Sequence, residues 1–246
     1  MIKDELPNKD VYSNQVVSIS VFFPCYNEQD NVERTIEQAI TVLKKLGADF
    51  EVIIVDDGSS DATGQIADEI SRRDGRVKVV HHHPNLGYGA ALQSGFKAAT
   101  KELVFFTDGD GQFDISEMPP LLELMEHYDI VSCYRLDRRD PIIRKINGWC
   151  WTRLVCLVFG MKIRDIDCAF KLYKREIFDK IELSSTGALI NAEILARAVR
   201  KGYRVTQKGV HHYPRTHGAQ TGANLQVILR AFKELIKLQS RIRSGN

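Results

Sequence analysis

The 246-residue chain lacks paired cysteines. Its cysteines, Cys25, Cys133, Cys150, Cys156 and Cys168, are odd in number and show no CxxC spacing, which excludes a disulfide framework of the secreted kind. They read as buried free thiols in a reducing compartment, so a cytoplasmic location is expected. A long apolar run is also missing. Trp149–Met161 comes nearest, but it carries Arg153 and falls short of the roughly 20 residues that span a bilayer. Residues 1–15 are polar, without the apolar segment of a signal peptide. No charge dominates either: 34 Lys and Arg against 32 Asp and Glu leave a net +2, which calls for no nucleic-acid partner. The chain is expected to be soluble or peripheral to a membrane.

What is present is the composition of a globular protein, 43% hydrophobic and 27% charged, in a length that suits one large α/β domain. Apolar runs of strand length occur at Val17–Pro24, Phe50–Asp57, Val77–His83 and Glu102–Asp108. Between them lie helical patterns, the first opened by the capping-box spacing Asp30-x-x-Glu33 and the second capped by Ser60. Strands alternating with helices, and apolar almost throughout, predict a mostly parallel sheet with helices on both faces. Further on the pattern gives a helix near Met118–Tyr128, a strand at Asp129–Arg135, a basic loop at Arg135–Arg144 and an apolar helix at Ile146–Phe159. A short strand at Lys171–Tyr173, a helix at Ala188–Lys201 and a last strand at Val205–Tyr213 follow. On this reading residues 1–15 are a flexible arm and 16–223 one domain. Residues 224–246 are an amphipathic helix packed on it, with homo-oligomer contact expected there and contact of its basic face with anionic lipid as the alternative.

Ligands of parallel sheets bind beyond the carboxyl ends of the strands. Three polar clusters sit at such ends. The sharpest is Asp108-Gly109-Asp110-Gly111-Gln112. Two carboxylates so close repel one another, and a divalent cation removes the conflict. Oxygen ligands select Mg²⁺ or Mn²⁺, ions that also take substrate phosphates. Gln112 adds a neutral oxygen. A solvated Asp-Gly turn is the competing reading of the motif alone.

Asp56 and Asp57 end the second strand, where a carboxylate can accept from a base N–H or a ribose hydroxyl, or cap a turn. Tyr26 and Glu28, after Pro24 at the end of the first strand, can pack on a base and bind a ribose, or lie on the surface. Gly87 and Gly89 resemble a dinucleotide loop superficially, but Leu92 replaces the third glycine. They read as tight backbone near a nucleotide, and an NAD-dependent oxidoreductase is disfavoured. Adjacent strand residues point to opposite faces, so His81, His82 and His83 are not expected to chelate one metal.

In this order and spacing, PCYNEQDN, VDDGSSDAT, NLGYGAALQSGF and FTDGDGQFD resemble family 2 glycosyltransferases of the GT-A fold. DIDCAFKLYKRE and HHYPRTHGAQTG extend the resemblance to the dolichol-phosphate mannosyltransferase and polyprenyl-phosphate hexosyltransferase branch, over residues 17–240. The resemblance implies a Rossmann-like GT-A domain that transfers a sugar with inversion from a nucleotide-diphosphate sugar donor. It implies that Pro24, Tyr26, Glu28, Asp56 and Asp57 line the nucleotide, and that Asp108, Asp110 and Gln112 bind the metal. Arg135 and the following basic segment would meet the acceptor phosphate, and Arg215 and Gly218 would belong to an arm closing over the donor. Gln220 stands where that arm usually has Ser or Thr, and Lys171 where the family often has Arg, positions that bear on donor and acceptor choice.

An acceptor phosphate monoester is ionised near neutral pH, so no strong base is required. Arg135, Arg138, Arg139 and Arg144 are candidates to hold it, and Asp110, Arg135 and Arg215 to serve catalysis. A hydroxyl acceptor, on a polysaccharide or a lipid-linked oligosaccharide, needs a base, for which Glu193, Asp165 and Asp167 are candidates. A non-catalytic nucleotide-sugar-binding subunit is the remaining alternative. Trp149, Trp151 and Leu154 are candidates for contact with a bilayer surface, or for packing.

Overall fold

The structure, a computed structural model, describes residues 16–137, 142–215 and 234–242. The expected arm at 1–15, Arg138, Arg139, His217, Gly218, Gln220, Thr221 and the start of the expected terminal helix lie outside the described residues.

Strands β1 (Ser18–Cys25), β2 (Asp49–Asp56), β3 (Val77–His81) and β4 (Leu103–Thr107) run parallel in the order β3-β2-β1-β4. Helices α1 (Val32–Lys45), α2 (Thr63–Arg73) and α3 (Tyr88–Ala98) connect them. Beyond β4 the sheet continues as β7 (Phe170–Lys174), β5 (Ile130–Ser132) and β8 (Val205–Thr206), and β7 is antiparallel to both neighbours. The mostly parallel sheet is thus as expected. Seven consecutive residues of β1 are buried, as are seven of β2, because both faces of these strands are covered. Phe22, Phe96, Phe106, Tyr173 and Phe178 form the aromatic centre of the core, with the Phe96 and Phe178 rings stacked at 3.8 Å.

In α1, Val32, Ile36, Ala39, Ile40 and Leu43 are buried at the spacing of one helical face. The expected capping box does not form: the N-cap is Asn31, whose amide turns back to Glu28 at 2.8 Å. Nor does Ser60 open α2, since its N–H donates to the Asn27 side chain at 2.8 Å, and the helix starts at Thr63.

The later part departs further. Met118–Tyr128 is one turn of α4 (Pro119–Leu122) continued by a tighter 3₁₀ turn over Glu123–Glu126. The strand expected at Asp129–Arg135 divides at Cys133 into β5 and β6 (Tyr134–Leu136), which belong to different sheets. Likewise Val205–Tyr213 divides into β8 and β9 (Gly209–His211), and β6 pairs with β9 as a separate parallel ribbon. Helix α5 (Ile142–Phe159) starts earlier than expected, so Arg144 and Lys145 are helical rather than part of a basic loop. Helices α6 (Glu176–Lys180) and α7 (Ile190–Arg200) follow β7, and α3 packs on α7. Residues 234–242 are helical and bury Leu235, Leu238 and Ile242, while Arg241 donates to the Ser184 hydroxyl at 3.0 Å. Among the described residues no helix is long and apolar enough to cross a membrane.

Candidate active site

The clusters after β1, β2 and β4 meet at one edge of the sheet, as expected. The first two loops are laced together. Glu28 N donates to Thr63 Oγ1 at 2.7 Å, Gln29 N to Asp61 Oδ2 at 3.3 Å, and Ala62 N to Gln29 Oε1 at 3.0 Å. Tyr26 stands beside this seam with 46% of its surface exposed, an available aromatic face.

Asp57 is buried and turned inward. Its Oδ1 accepts from Leu86 N at 2.9 Å and faces His82 Nδ1 at 2.6 Å, while its Oδ2 accepts from Gly87 N at 2.9 Å. His82 in turn meets Ser94 on α3 at 2.8 Å. Asp57 thus holds the 85–87 loop. Gly87, at φ +96°, supplies a backbone turn that a side chain resists, and a Cβ there would lie 2.9 Å from Thr186 O. Gly89 packs on the same loop, its N–H donating to Thr186 O at 2.9 Å. The two glycines therefore admit the 185–187 loop. Asp56 faces away from Asp57: it accepts from Ser59 N at 3.0 Å and pairs with His81 at 2.9 Å. Burial opposes its ionisation, but the hydrogen bonds from Ser59 and His81 outweigh this and hold its carboxyl below the ordinary value. His81 and His82 thus serve different carboxylates, in line with their opposite facing.

Asp108 and Asp110 follow β4 around Gly109, where a Cβ would sit 2.5 Å from the Cys25 sulfur. Burial, and for Asp108 also the Asp110 charge, raises both carboxyls above the usual range. Asp110 accepts from Gln112 N at 3.0 Å. The Gln112 amide nitrogen donates to Tyr213 O at 2.9 Å, and Tyr213 N returns a bond to Gln112 O at 2.8 Å. These bonds bring the segment after β9 over the acidic turn. Arg215 follows, its guanidinium donating to Glu28 at 2.5 Å and lying 3.7 Å from Asp110 Oδ2. Pro24, whose carbonyl accepts from Gly109 N at 3.4 Å, joins the same turn to β1.

Arg135 lies on β6 with Asp165 against it, Nε at 2.7 Å and NH2 at 2.9 Å. The pair lines a cleft of about 430 Å³ with Tyr134, Lys145, Ile146, Trp149 and Arg164. Lys145 and Arg164 were not among the residues the sequence singled out. Arg164 stacks over the Tyr134 ring at 4.2 Å, and nothing local in the sequence signals that. Of the residues considered for a bilayer surface, Trp149 is 59% exposed, whereas Trp151 and Leu154 pack against the core.

Glu193, a candidate base, is fully buried and accepts from Ser184 N, Ser185 N and Arg197 at 2.7–3.0 Å. All three of these donors come from the protein itself. His211 pairs with Glu117, and His212 packs edge-on against Phe113. Tyr88, which sequence reasoning passed over, donates from its hydroxyl to Asp108 Oδ1 at 3.1 Å.

The chain is similar to known proteins in sequence and fold. The chain is 28% identical over 239 residues to the dodecaprenyl-phosphate galacturonate synthase of Rhizobium johnstonii, covering 94% of this chain and 70% of that protein. It is 34% identical over 166 residues to the undecaprenyl-phosphate 4-deoxy-4-formamido-L-arabinose transferase of Klebsiella pneumoniae, covering 67% of this chain but only 51% of that one. Among solved structures, the glucosyl-3-phosphoglycerate synthase of Mycobacterium tuberculosis, in complex with Mn²⁺, UDP-glucose and phosphoglyceric acid, superposes with a TM-score of 0.67. At 19% identity, covering 93% of this chain and 80% of that one, it shares the fold, the GT-A architecture that the motifs implied. The sequence profile of glycosyl transferase family 2 matches residues 20–182, well over half of the chain. The chain belongs to glycosyl transferase family 2, and it is a glycosyltransferase.

Proposed function

We propose that this glycosyltransferase moves a hexose from a UDP- or GDP-linked sugar to a polyprenyl phosphate, with inversion at the anomeric carbon. The observation that carries this reading is the cleft at Arg135. Arg135, Lys145 and Arg164 make one part cationic and Ile146 and Trp149 make another apolar, which suits a phosphate borne on a hydrocarbon chain. The names of the Rhizobium and Klebsiella relatives, which specify dodecaprenyl and undecaprenyl phosphate, support the same acceptor class. So does the engagement of Glu193 by Ser184 and Ser185 and of Asp165 by Arg135, which occupies two of the three carboxylates considered as base for a hydroxyl acceptor.

The acidic turn fits a divalent cation. Burial raises both carboxyls, and the Asp110 charge raises Asp108 further; the Gln112 nitrogen is committed to Tyr213, so its oxygen is the end that can ligate. Among the described residues no cluster of three or more His, Cys, Asp or Glu forms a metal cage. Two carboxylates and the Gln112 oxygen would leave positions on such an ion for the donor phosphates. Mg²⁺ or Mn²⁺ held by Asp108, Asp110 and Gln112 would offset the charge of the departing diphosphate.

The chain's own groups do the rest. Tyr26 offers a ring to the base, and Asp57 sets the 85–87 loop beside it. Arg215, held by Glu28, places a second cation next to Asp110, over the donor diphosphate. Arg135, oriented by Asp165, aims a planar fork at the acceptor phosphate, whose oxygen needs positioning rather than deprotonation.

A lipid-borne acceptor would bring the enzyme to a membrane surface, and α5 is the element we assign to it. Ile142, Ile143, Ile146, Trp149 and Leu157 of α5 are each more than half exposed. The helix carries Arg144, Lys145 and Arg153 and no acidic residue, a pattern suited to anionic lipid.

The test incubates purified protein with Mn²⁺ or Mg²⁺ and a panel of UDP- and GDP-sugars, with and without a short polyprenyl phosphate, and measures released nucleoside diphosphate. Release that requires the lipid phosphate and disappears in Asp110→Ala is expected. Release indifferent to lipid phosphate would indicate a hydroxyl acceptor, and binding of nucleotide without any turnover a non-catalytic subunit.

A further inference from the structure

Lys171 is the most unusual buried group outside the site. It lies on β7 with no exposed surface, and its ammonium donates to Ile166 O at 3.1 Å, to Cys168 O, and to Asn191 Oδ1 at 3.4 Å. All of these acceptors are uncharged. Burying an ammonium is costly even after relaxation, and an apolar side chain of the same volume would fill the space at less cost. Packing therefore does not account for it.

The next bonds suggest what does. Asn191, on α7, turns its oxygen to Lys171, so its amide nitrogen is the end left for the Tyr88 hydroxyl, on which Asn191 acts against the rise in pKa that burial causes. Tyr88 passes its own proton on to Asp108 Oδ1. The two end bonds of this series, Lys171 to Asn191 and Tyr88 to Asp108, run in the same sense toward Asp108. Joined through the Asn191 amide, they would polarise along one line from a buried cation to a carboxylate. Tyr88 is itself fixed at the first turn of α3, because Asp57 grips the two N–H groups just before it.

We propose that Tyr88, backed by Asn191 and Lys171, is a positioning residue for Asp108: the relay occupies Oδ1, turns the other carboxylate oxygen toward the metal, and strengthens metal binding. The proposal rests on the reading of Asp108 as a metal ligand. It adds an outer shell drawn from α3, α7 and β7, none of which supplies a ligand. Groups that orient ligands in this way change metal affinity by about 10–100-fold when removed.

The experiment measures Mn²⁺ binding in the presence of UDP by the electron paramagnetic resonance signal of free Mn²⁺, without turnover. Tyr88→Phe keeps the ring and removes only the hydroxyl. Its Mn²⁺ dissociation constant should rise about 10–100-fold, while its melting temperature and metal-free UDP binding match the wild type. Asn191→Leu should weaken Mn²⁺ binding in the wild-type background and add nothing in the Tyr88→Phe background, because the relay is already cut there. Asp108→Asn separates the two readings. If Asp108→Asn loses Mn²⁺ while Tyr88→Phe binds it as tightly as wild type, the relay is overturned and the metal site stands. Additive effects of Tyr88→Phe and Asn191→Leu would also overturn the relay. Undiminished Mn²⁺ binding by Asp108→Asn would overturn both.

Discussion

Arg215 donates to Glu28 across 187 residues of sequence, and its other nitrogen lies 3.7 Å from Asp110. The segment after β9 is thereby latched to the end of β1 and to the acidic turn at once. Arg215→Ala should lower kcat/KM by about 10²–10³-fold, the scale for removing one preorganised charge donor. Arg215→Lys should recover little of this, since a point charge cannot span both carboxylates. Steady-state kinetics on both variants checks the prediction.

Arg135 and Asp165 are each almost covered, with side chains 13% and 11% exposed. Removing one partner strands the other. Asp165→Ala should destabilise the fold by about 3–5 kcal/mol in urea unfolding. The double variant Arg135→Ala/Asp165→Ala should cost less than the sum of the single changes. Arg135→Ala should raise the KM for lipid phosphate more than that for the donor.

Glu193→Gln discriminates a structural from a catalytic carboxylate. The Ser184 and Ser185 bonds should weaken, lowering stability by about 1–3 kcal/mol. The dependence of kcat on pH should keep its shape. Loss of the acidic limb of that profile in Glu193→Gln would instead make Glu193 a general base.

Glu51 sets part of the acid limit of the fold. It is buried at β2 and accepts from Ser20, Thr100 and Lys78. Burial alone would raise its carboxyl, but these donors overcome it and bring it from 4.5 down to about 2. A carboxyl lowered in the folded state binds its proton first in the unfolded chain. Its stabilisation is therefore complete above pH 4.5 and is lost as pH falls toward about 2. Glu51→Gln should be less stable than wild type at neutral pH, and the gap should narrow across that window in acid titrations followed by circular dichroism.

Helix α5 gives the membrane reading its own test. Ile143 and Leu157 are 70% and 82% exposed and lie outside the cleft lining. The double change Ile143→Ser/Leu157→Ser should lower affinity for anionic vesicles in co-sedimentation by roughly a hundredfold or more, at about 1.5–3 kcal/mol for each of the two side chains when fully buried. Vesicles of neutral lipid should bind both proteins weakly. Equal binding of wild type and variant to anionic vesicles would remove α5 from the interface.

The strands that carry the site could be read early because their signal is local. VSISVFFP and FEVIIVDD are apolar on successive residues, as a strand covered on both faces must be. The acidic turns follow directly, so their place at the sheet edge was legible too. The expected capping box failed because Asn31 found Glu28, and the expected strands at 129–135 and 205–213 each split because their second halves pair with one another in a separate ribbon. Neither partner choice is written in the local pattern.

What the sequence by itself determined is the order of strand and helix, the family, and which carboxylates lie at the strand ends, since all of these follow from periodicity and from residues close together in the chain. Which carboxylates are already engaged was decided by the tertiary structure alone. Asp57 is held by Gly87, Asp165 by Arg135 and Glu193 by Ser184, while Asp108 meets Tyr88. Most of these bonds join residues that the chain keeps apart until loops from different strands converge, and a carboxylate takes its role from the donors that reach it.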